Sequence, residues 1–273
     1  MSAFTREVTV ALGAARRAAL RVRELYAAGV AVAWKGVDDP VTTADQEANA
    51  LIVAELRAAF PDDGVCAEES DAAASAAAAA RGGRCWFVDP LDGTRDFVDR
   101  TGEFCVMVGL AVHGCATVGV VVAPQDGTAW IGVVGEGAWR EAPDGVRLAL
   151  SVAEPADPAA VRMVGSRSHA HPRVAAVARH LGGASLRPVG SVGLKVAAVV
   201  DGAGDLYVHC GSGMKLWDGC APEAIARGAG ATVTDCSGHP LAYGTDRLAL
   251  PDGIVVGAPA VHAAALAALR LAP

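Results

Sequence analysis

The chain has 273 residues, 23 basic and 30 acidic side chains for a formal charge of −7, and 52% hydrophobic residues. That is ample core material for one large domain or two ordinary ones, and it excludes a disordered or low-complexity protein. The mean hydropathy of +0.34 comes largely from alanine and valine, without ~18 consecutive strongly apolar residues, and a pI near 5.5 argues against a nucleic-acid coat.

Residues 6–28 place Val10, Ala14, Ala18, Val22 and Leu25 at helical spacing, with Arg16, Arg17, Arg21 and Arg23 between them, which predicts a surface helix. This Arg/Glu-laced pattern differs from a signal peptide's basic end and apolar block. A Gly/Asp/Pro-rich loop over residues 34–45 should lead into a helix over 44–59, capped by Thr43 and stopped at Pro61–Gly64. The run Asp71–Gly83 reads as a variable surface loop. Short Val-rich runs at Cys85–Val88, Cys105–Val112, Ala116–Pro124 and Thr128–Val134 predict a meandering antiparallel sheet. Glu154–Asp157 is the linker candidate, dividing the chain into an α+β half (1–153) and an α/β half (158–273). In the second half, strands at Arg162–Gly165, Arg187–Val189, Asp205–His209, Thr232–Thr234 and Gly253–Val256 alternate with helices at Arg173–Leu181, Val192–Asp201, Trp217–Arg227 and Pro259–Leu271.

The seven cysteines (Cys66, Cys85, Cys105, Cys115, Cys210, Cys220, Cys236) are odd in number and never spaced C-x-x-C. They read as reduced thiols of a cytoplasmic protein, packing as small hydrophobes and taking no part in chemistry.

Chemistry concentrates in Trp86–Phe97, WFVDPLDGTRDF. An apolar strand runs into Asp89, Pro90 is expected to block further ladder pairing, and Asp92-Gly93-Thr94 has the composition of a turn into a helix. Two carboxylates so close at a strand end repel unless a cation lies between them, and Mg²⁺ prefers such oxygen ligands. The amides of Gly93 and Thr94 suit a phosphate oxygen. The plain alternative is a D-G turn in which Asp92 caps a helix. Three further acidic elements occur: P-V-T-T-A-D ending in Asp45, the pair Glu68-Glu69, and Trp217-Asp218. Singly each reads as a solvated acid or a cap; together they suit convergence on one cleft.

In this order P-V-T-x-A-D, E-E, W-x-V-D-P-x-D-G-T and W-D resemble the inositol monophosphatase superfamily of metal-dependent phosphomonoesterases, over about residues 5 to 270. The resemblance implies an α/β and α+β layered sandwich (αβαβα) with a metal site between its halves. It implies two or three Mg²⁺ ions held by Glu68, Asp89, Asp92, Asp218 and the Leu91 carbonyl, with Glu69 behind them. It implies that Asp45 and Thr94 orient and deprotonate the attacking water, and that Lys35 lies near the phosphate. Arg95-Asp96-Phe97, Gly102-Glu103-Phe104 and Gly190-Ser191-Val192-Gly193-Leu194-Lys195 are similar to the bacterial 3′(2′),5′-bisphosphate nucleotidase branch. Inositol monophosphatases carry a glutamate seven residues before the W-D aspartate, where this chain has Gly211.

The expected activity is therefore removal of the 3′-phosphate of adenosine 3′,5′-bisphosphate. The alternatives are an inositol, sugar or other nucleotide phosphatase, or a non-catalytic metal- or anion-binding relative. Ser191, Lys215 and Arg167 are candidate substrate contacts, while His169 and His171 read as surface histidines. The expected partner is a small phosphorylated metabolite, without nucleic acid or membrane, and the resemblance implies a monomer or a homodimer.

Overall fold

The computed structural model describes residues 3–29, 31–36, 39–155, 160–167, 171–211 and 213–271, with the backbone alone for 34–36 and 39. In chain order the elements are α1 (Thr5–Ala28), β1 (Val32–Gly36), β2 (Asp39–Thr42), α2 (Thr43–Ala59), β3 (Gly64–Ala67), α3 (Ala72–Ala80), β4 (Arg84–Asp92), α4 (Thr94–Val98), β5 (Cys105–Val112), β6 (Cys115–Val122), β7 (Ala129–Val133), β8 (Gly137–Glu141) and β9 (Arg147–Leu150). There follow β10 (Arg162–Ser166), α5 (Pro172–His180), β11 (Ser185–Val189), α6 (Val192–Val200), β12 (Leu206–His209), α7 (Leu216–Gly228), β13 (Thr232–Thr234), β14 (Ile254–Gly257) and α8 (Pro259–Leu271).

Two sheets define the architecture. The first runs in the order β3-β4-β5-β6-β7-β8-β9, with β3 and β4 parallel and the rest an antiparallel meander; the second runs β11-β10-β12-β14-β13. Helices α1 and α2 cover one face of the first sheet, α6 and α7 fill the space between the sheets, and α5 and α8 cover the far face of the second. This is the αβαβα layering. The central layer is tight because Gly109, Gly119 and Gly132 stand side by side on β5, β6 and β7. A Cβ at Gly109 would lie 2.6 Å from the Ala221 nitrogen, and one at Gly119 would fall against the Ala221 carbonyl, so α7 rests directly on the sheet backbone.

Several local expectations change. Asp71–Gly83 is mostly helix: Asp71 caps α3 by accepting from the Ala74 N–H at 2.8 Å, and Ser75, Ala78 and Ala79 are buried. Alanine is the best helix former, and here alanine itself is the buried face, so no apolar stripe stands out. The cap of α2 is Thr42 rather than Thr43, because Asp45 reaches back to the Thr42 N–H in a capping box. The loop over 34–45 holds a hairpin, β1 against β2. Pro90 interrupts the β4–β5 ladder without ending it: pairing skips from Asp89–Met107 to Asp92–Cys105 through a bulge. The side chain of Lys35, on β1, lies outside the described residues, as do His169 and linker residues 156–159.

Candidate active site

The parallel pairing of β3 and β4 brings the first acids together. Ala67 stands opposite Val88, and the Glu68 N–H extends the ladder to the Val88 carbonyl at 3.1 Å, which sets Glu68 beside Asp89. Three residues on, past the bulge, Asp92 ends β4. Asp218 arrives from the opposite direction on the first turn of α7, where its Oδ2 accepts from the Lys215 backbone N–H at 2.7 Å. Asp89 is 3% exposed and accepts from the Leu91 N–H at 3.0 Å.

The electrostatics couple these groups. Burial first, then Glu68, Asp92 and Asp218, pushes Asp89 well above the usual carboxylate value. Burial and Asp92 push Asp218 up to about 7. Asp92 is also raised by burial, although the Lys195 ammonium opposes the shift. Among the described residues no three Asp, Glu, His or Cys side chains are gathered into a ready-made coordination shell. The donor set nevertheless fits a hard divalent cation: all oxygen, mostly buried, and mutually repelling without added positive charge.

Next to the β4 acids sits a hydrogen-bonded pair, Asp45 and Thr94. Asp45 is 1% exposed; its Oδ2 accepts from the Thr42 N–H and hydroxyl, both at 2.7 Å, and its Oδ1 faces the Thr94 hydroxyl at 2.9 Å. The Leu91 carbonyl is the other acceptor within reach of Thr94, at 3.0 Å. One hydroxyl proton serves one acceptor at a time, so Thr94 can hand its proton to Asp45 and turn its lone pairs to the cleft. Burial raises the Asp45 pKa against the opposing hydrogen bonds from Thr42 and Thr94.

Asp92, Thr94 and Asp218 border a cleft of about 240 Å³ whose lining also includes Gly93, Ser191 and Lys195. Gly93 has φ 91°, and a Cβ there would press on the Glu103 carbonyl and the Ser191 side chain. Ser191 lines the cleft while capping α6, its Oγ accepting from the Leu194 N–H at 3.1 Å. Lys215 contributes its backbone amide to Asp218 and is not among the cleft-lining residues.

Sequence reasoning missed two residues here, Lys195 and Cys105, and expected a substrate contact of Arg167. Lys195, 4% exposed, donates to the Gly190 carbonyl and neutralises Asp92; it reads as one charge in an apolar helix, VGLKVAAVV. Cys105 is not a bystander: its Sγ lies 3.7 Å from Asp92 Oδ2 and 3.3 Å from Ser191 Oγ. Arg167 is committed to carboxylates, donating to Asp96 Oδ1 at 3.0 Å and Glu103 Oε2 at 2.7 Å. The same Glu103 oxygen accepts from the Gly190 N–H at 2.7 Å. His171 caps α5, accepting from the Arg173 N–H through Nδ1 at 3.2 Å. At Gly211 the obstacle to a side chain is the backbone, φ 110°, since a Cβ would meet only the His171 ring at ordinary contact distance.

The inositol monophosphatase family model matches residues 5–272. The chain belongs to the inositol monophosphatase family. It is 36% identical over 231 residues to the 3′(2′),5′-bisphosphate nucleotidase CysQ of Escherichia coli O157:H7, covering 84% of this chain and 90% of that one. It is 30% identical to the Nus factor SuhB of Salmonella typhimurium, over 96% and 95% of the two chains. The crystal structure of CysQ from Bacteroides thetaiotaomicron superposes with a TM-score of 0.77 at 28% identity, covering 94% of this chain and 98% of that one. As a family member the chain is a phosphatase, a hydrolase of phosphoric monoesters, and metal dependence, typically on Mg²⁺, comes with that family. No helix among the described residues is long and apolar enough to cross a membrane.

Proposed function

We propose that the protein removes the 3′-phosphate of adenosine 3′,5′-bisphosphate with the help of two or three Mg²⁺ ions. The observation that supports the reading is the electrostatic coupling of Asp89 to Glu68, Asp92 and Asp218, beside the hydrogen-bonded Asp45–Thr94 pair. Glu68, Asp89, Asp92, Asp218 and the Leu91 carbonyl would hold the ions, with Glu69 behind them. When bound, the ions offset the charge of the phosphate and of the leaving oxygen and acidify a bound water.

The chain's own residues supply the rest. Thr94 orients the attacking water by accepting one of its hydrogens, and gives its own hydroxyl proton to Asp45. Asp45 does not line the cleft, so protons reach it through Thr94. The elevated pKa of Asp45 makes it a better acceptor than an ordinary aspartate. Gly93, Thr94, Ser191 and Lys195 line the cleft that would receive the transferred phosphate. The products are an alcohol and inorganic phosphate.

The nucleotide substrate is favoured by the CysQ relatives and by Gly211, which leaves no carboxylate where an inositol hydroxyl would need one. Asp96 and Glu103, which belong to motifs similar to that branch, support it too and are tied together by Arg167. Membership of the inositol monophosphatase family keeps an inositol phosphate as the second reading. The seven free thiols support a reducing, cytoplasmic site of action. Phosphate release measured with Mg²⁺ on adenosine 3′,5′-bisphosphate, AMP, inositol 1-phosphate and fructose 1,6-bisphosphate separates these readings. Preference for the adenosine bisphosphate is the expected result; release from none of the four would favour a binding protein.

A further inference from the structure

Tyr207 stands in β12, paired with Val164 of β10 on one side and Val256 of β14 on the other. It is fully buried in the central core, yet it also lines the cleft together with Asp92, Lys195 and Asp218. Lys195 Nζ lies 5.8 Å from its ring centroid. Its hydroxyl has no hydrogen-bond partner among the described residues. Two other buried atoms share that condition, Asn49 Oδ1 and Trp139 Nε1, and neither residue borders the cleft.

A buried tyrosine hydroxyl nearly always finds a partner, and leaving it without one costs stability that phenylalanine would not. Burial and the nearby Asp92 and Asp218 carboxylates hold the phenol well above its ordinary pKa, so it keeps its proton and remains a donor. The described residues around it supply no acceptor, and Tyr207 is one of the residues that line the cleft.

We propose that Tyr207 is a further substrate-contacting residue, whose hydroxyl donates a hydrogen bond to the phosphate group of the ester at the wall formed by Asp92 and Asp218. The inference rests on the phosphomonoesterase reading above. It explains why a hydroxyl persists where the free protein has no use for one. It also places an uncharged donor among carboxylates that repel the phosphate.

Tyr207→Phe removes the hydroxyl and nothing else. In chelator-treated protein, the thermal midpoint of the variant should equal or exceed that of the wild type, because no internal bond is lost. With saturating Mg²⁺, calorimetry should show inorganic phosphate binding about tenfold more weakly to the variant, with a similar drop in kcat/KM on any phosphomonoester the wild type cleaves. Unchanged phosphate affinity would overturn the inference. So would a lowered midpoint with unchanged phosphate affinity, which would assign the hydroxyl to an internal partner such as a bound water. If the wild type cleaves no ester, the enzymatic reading fails by itself, and the phosphate titration still tests Tyr207.

Discussion

The backbone N–H of Gly193 meets Asp92 Oδ2 at 2.8 Å, so the first turn of α6 ends on the carboxylate that closes β4. Asp92 thus has one oxygen engaged by a helix N-terminus and the Lys195 charge close by, while Asp89 accepts from the Leu91 N–H. Asp89 is also the acid whose charge Glu68, Asp92 and Asp218 all oppose.

Asp89→Asn should therefore abolish Mg²⁺-dependent phosphate release, by at least about a hundredfold in kcat, and leave the protein folded. Circular dichroism and phosphate release on the same sample check both halves. A fully active variant would remove Asp89 from the metal assignment.

The Thr94 hydroxyl is assigned the relay to Asp45, and its methyl group is not needed for that. Thr94→Ser should retain most activity, and Thr94→Val should lose about a hundredfold in kcat with KM little changed. Equal losses in the two variants would count against the relay.

Asp218 gives a pH signature in the absence of metal. Its folded pKa, about 7, lies above the ordinary 3.8, so between these values the folded chain holds a proton that the unfolded chain has released. That contribution to stability is complete below about pH 4 and is lost as the pH rises towards 7. In chelator, Asp218→Asn should leave stability near that of the wild type at pH 4 and raise it increasingly up to pH 8. Mg²⁺ at pH 8 should stabilise the wild type and not the variant. Thermal midpoints across pH test this, and a gap between the two proteins that does not change with pH would contradict it.

Gly119→Ala would put a methyl group against the Ala221 carbonyl of α7. The expected cost is about 1–3 kcal/mol, read as a lower urea midpoint, and activity should fall as well because α7 carries Asp218.

Arg167→Ala would leave the buried Asp96 and the Glu103 carboxylate without their shared cation. A loss of about 1–3 kcal/mol is expected in chemical denaturation. Arg167→Lys should recover only part of it, since one ammonium does not reproduce two forked contacts.

Much of the fold and most of the candidate site were legible in the sequence. Asp45, Glu68, Asp92 and Asp218 each sit where a strand or helix begins or ends, and Asp89 sits at the bulge in β4; such places carry strong local signals: a proline, a D-G pair, a capping box. Lys195, Cys105 and Tyr207 gave no such signal. Each lies inside an apolar element and reads as core, and its role depends on which neighbour the second sheet delivers. The same holds for Arg167, whose partners Asp96 and Glu103 lie far away in sequence and are brought close only by docking. In α3 the obstacle was different: alanine supplied both helix and buried face, so no periodic contrast marked it.

The glycine row under α7 bears on how the enzyme comes into being. Three of the four acids are on the chain by residue 92, whereas the fourth rides on a helix that has to seat on β5, β6 and β7 before it faces them. Contacts so distant in sequence form late, because the intervening chain must first be brought to order. On refolding, helical and strand signals should return before turnover does. The lag between them would time the closure of the two sheets around their shared helices, and make catalysis a clock for assembly.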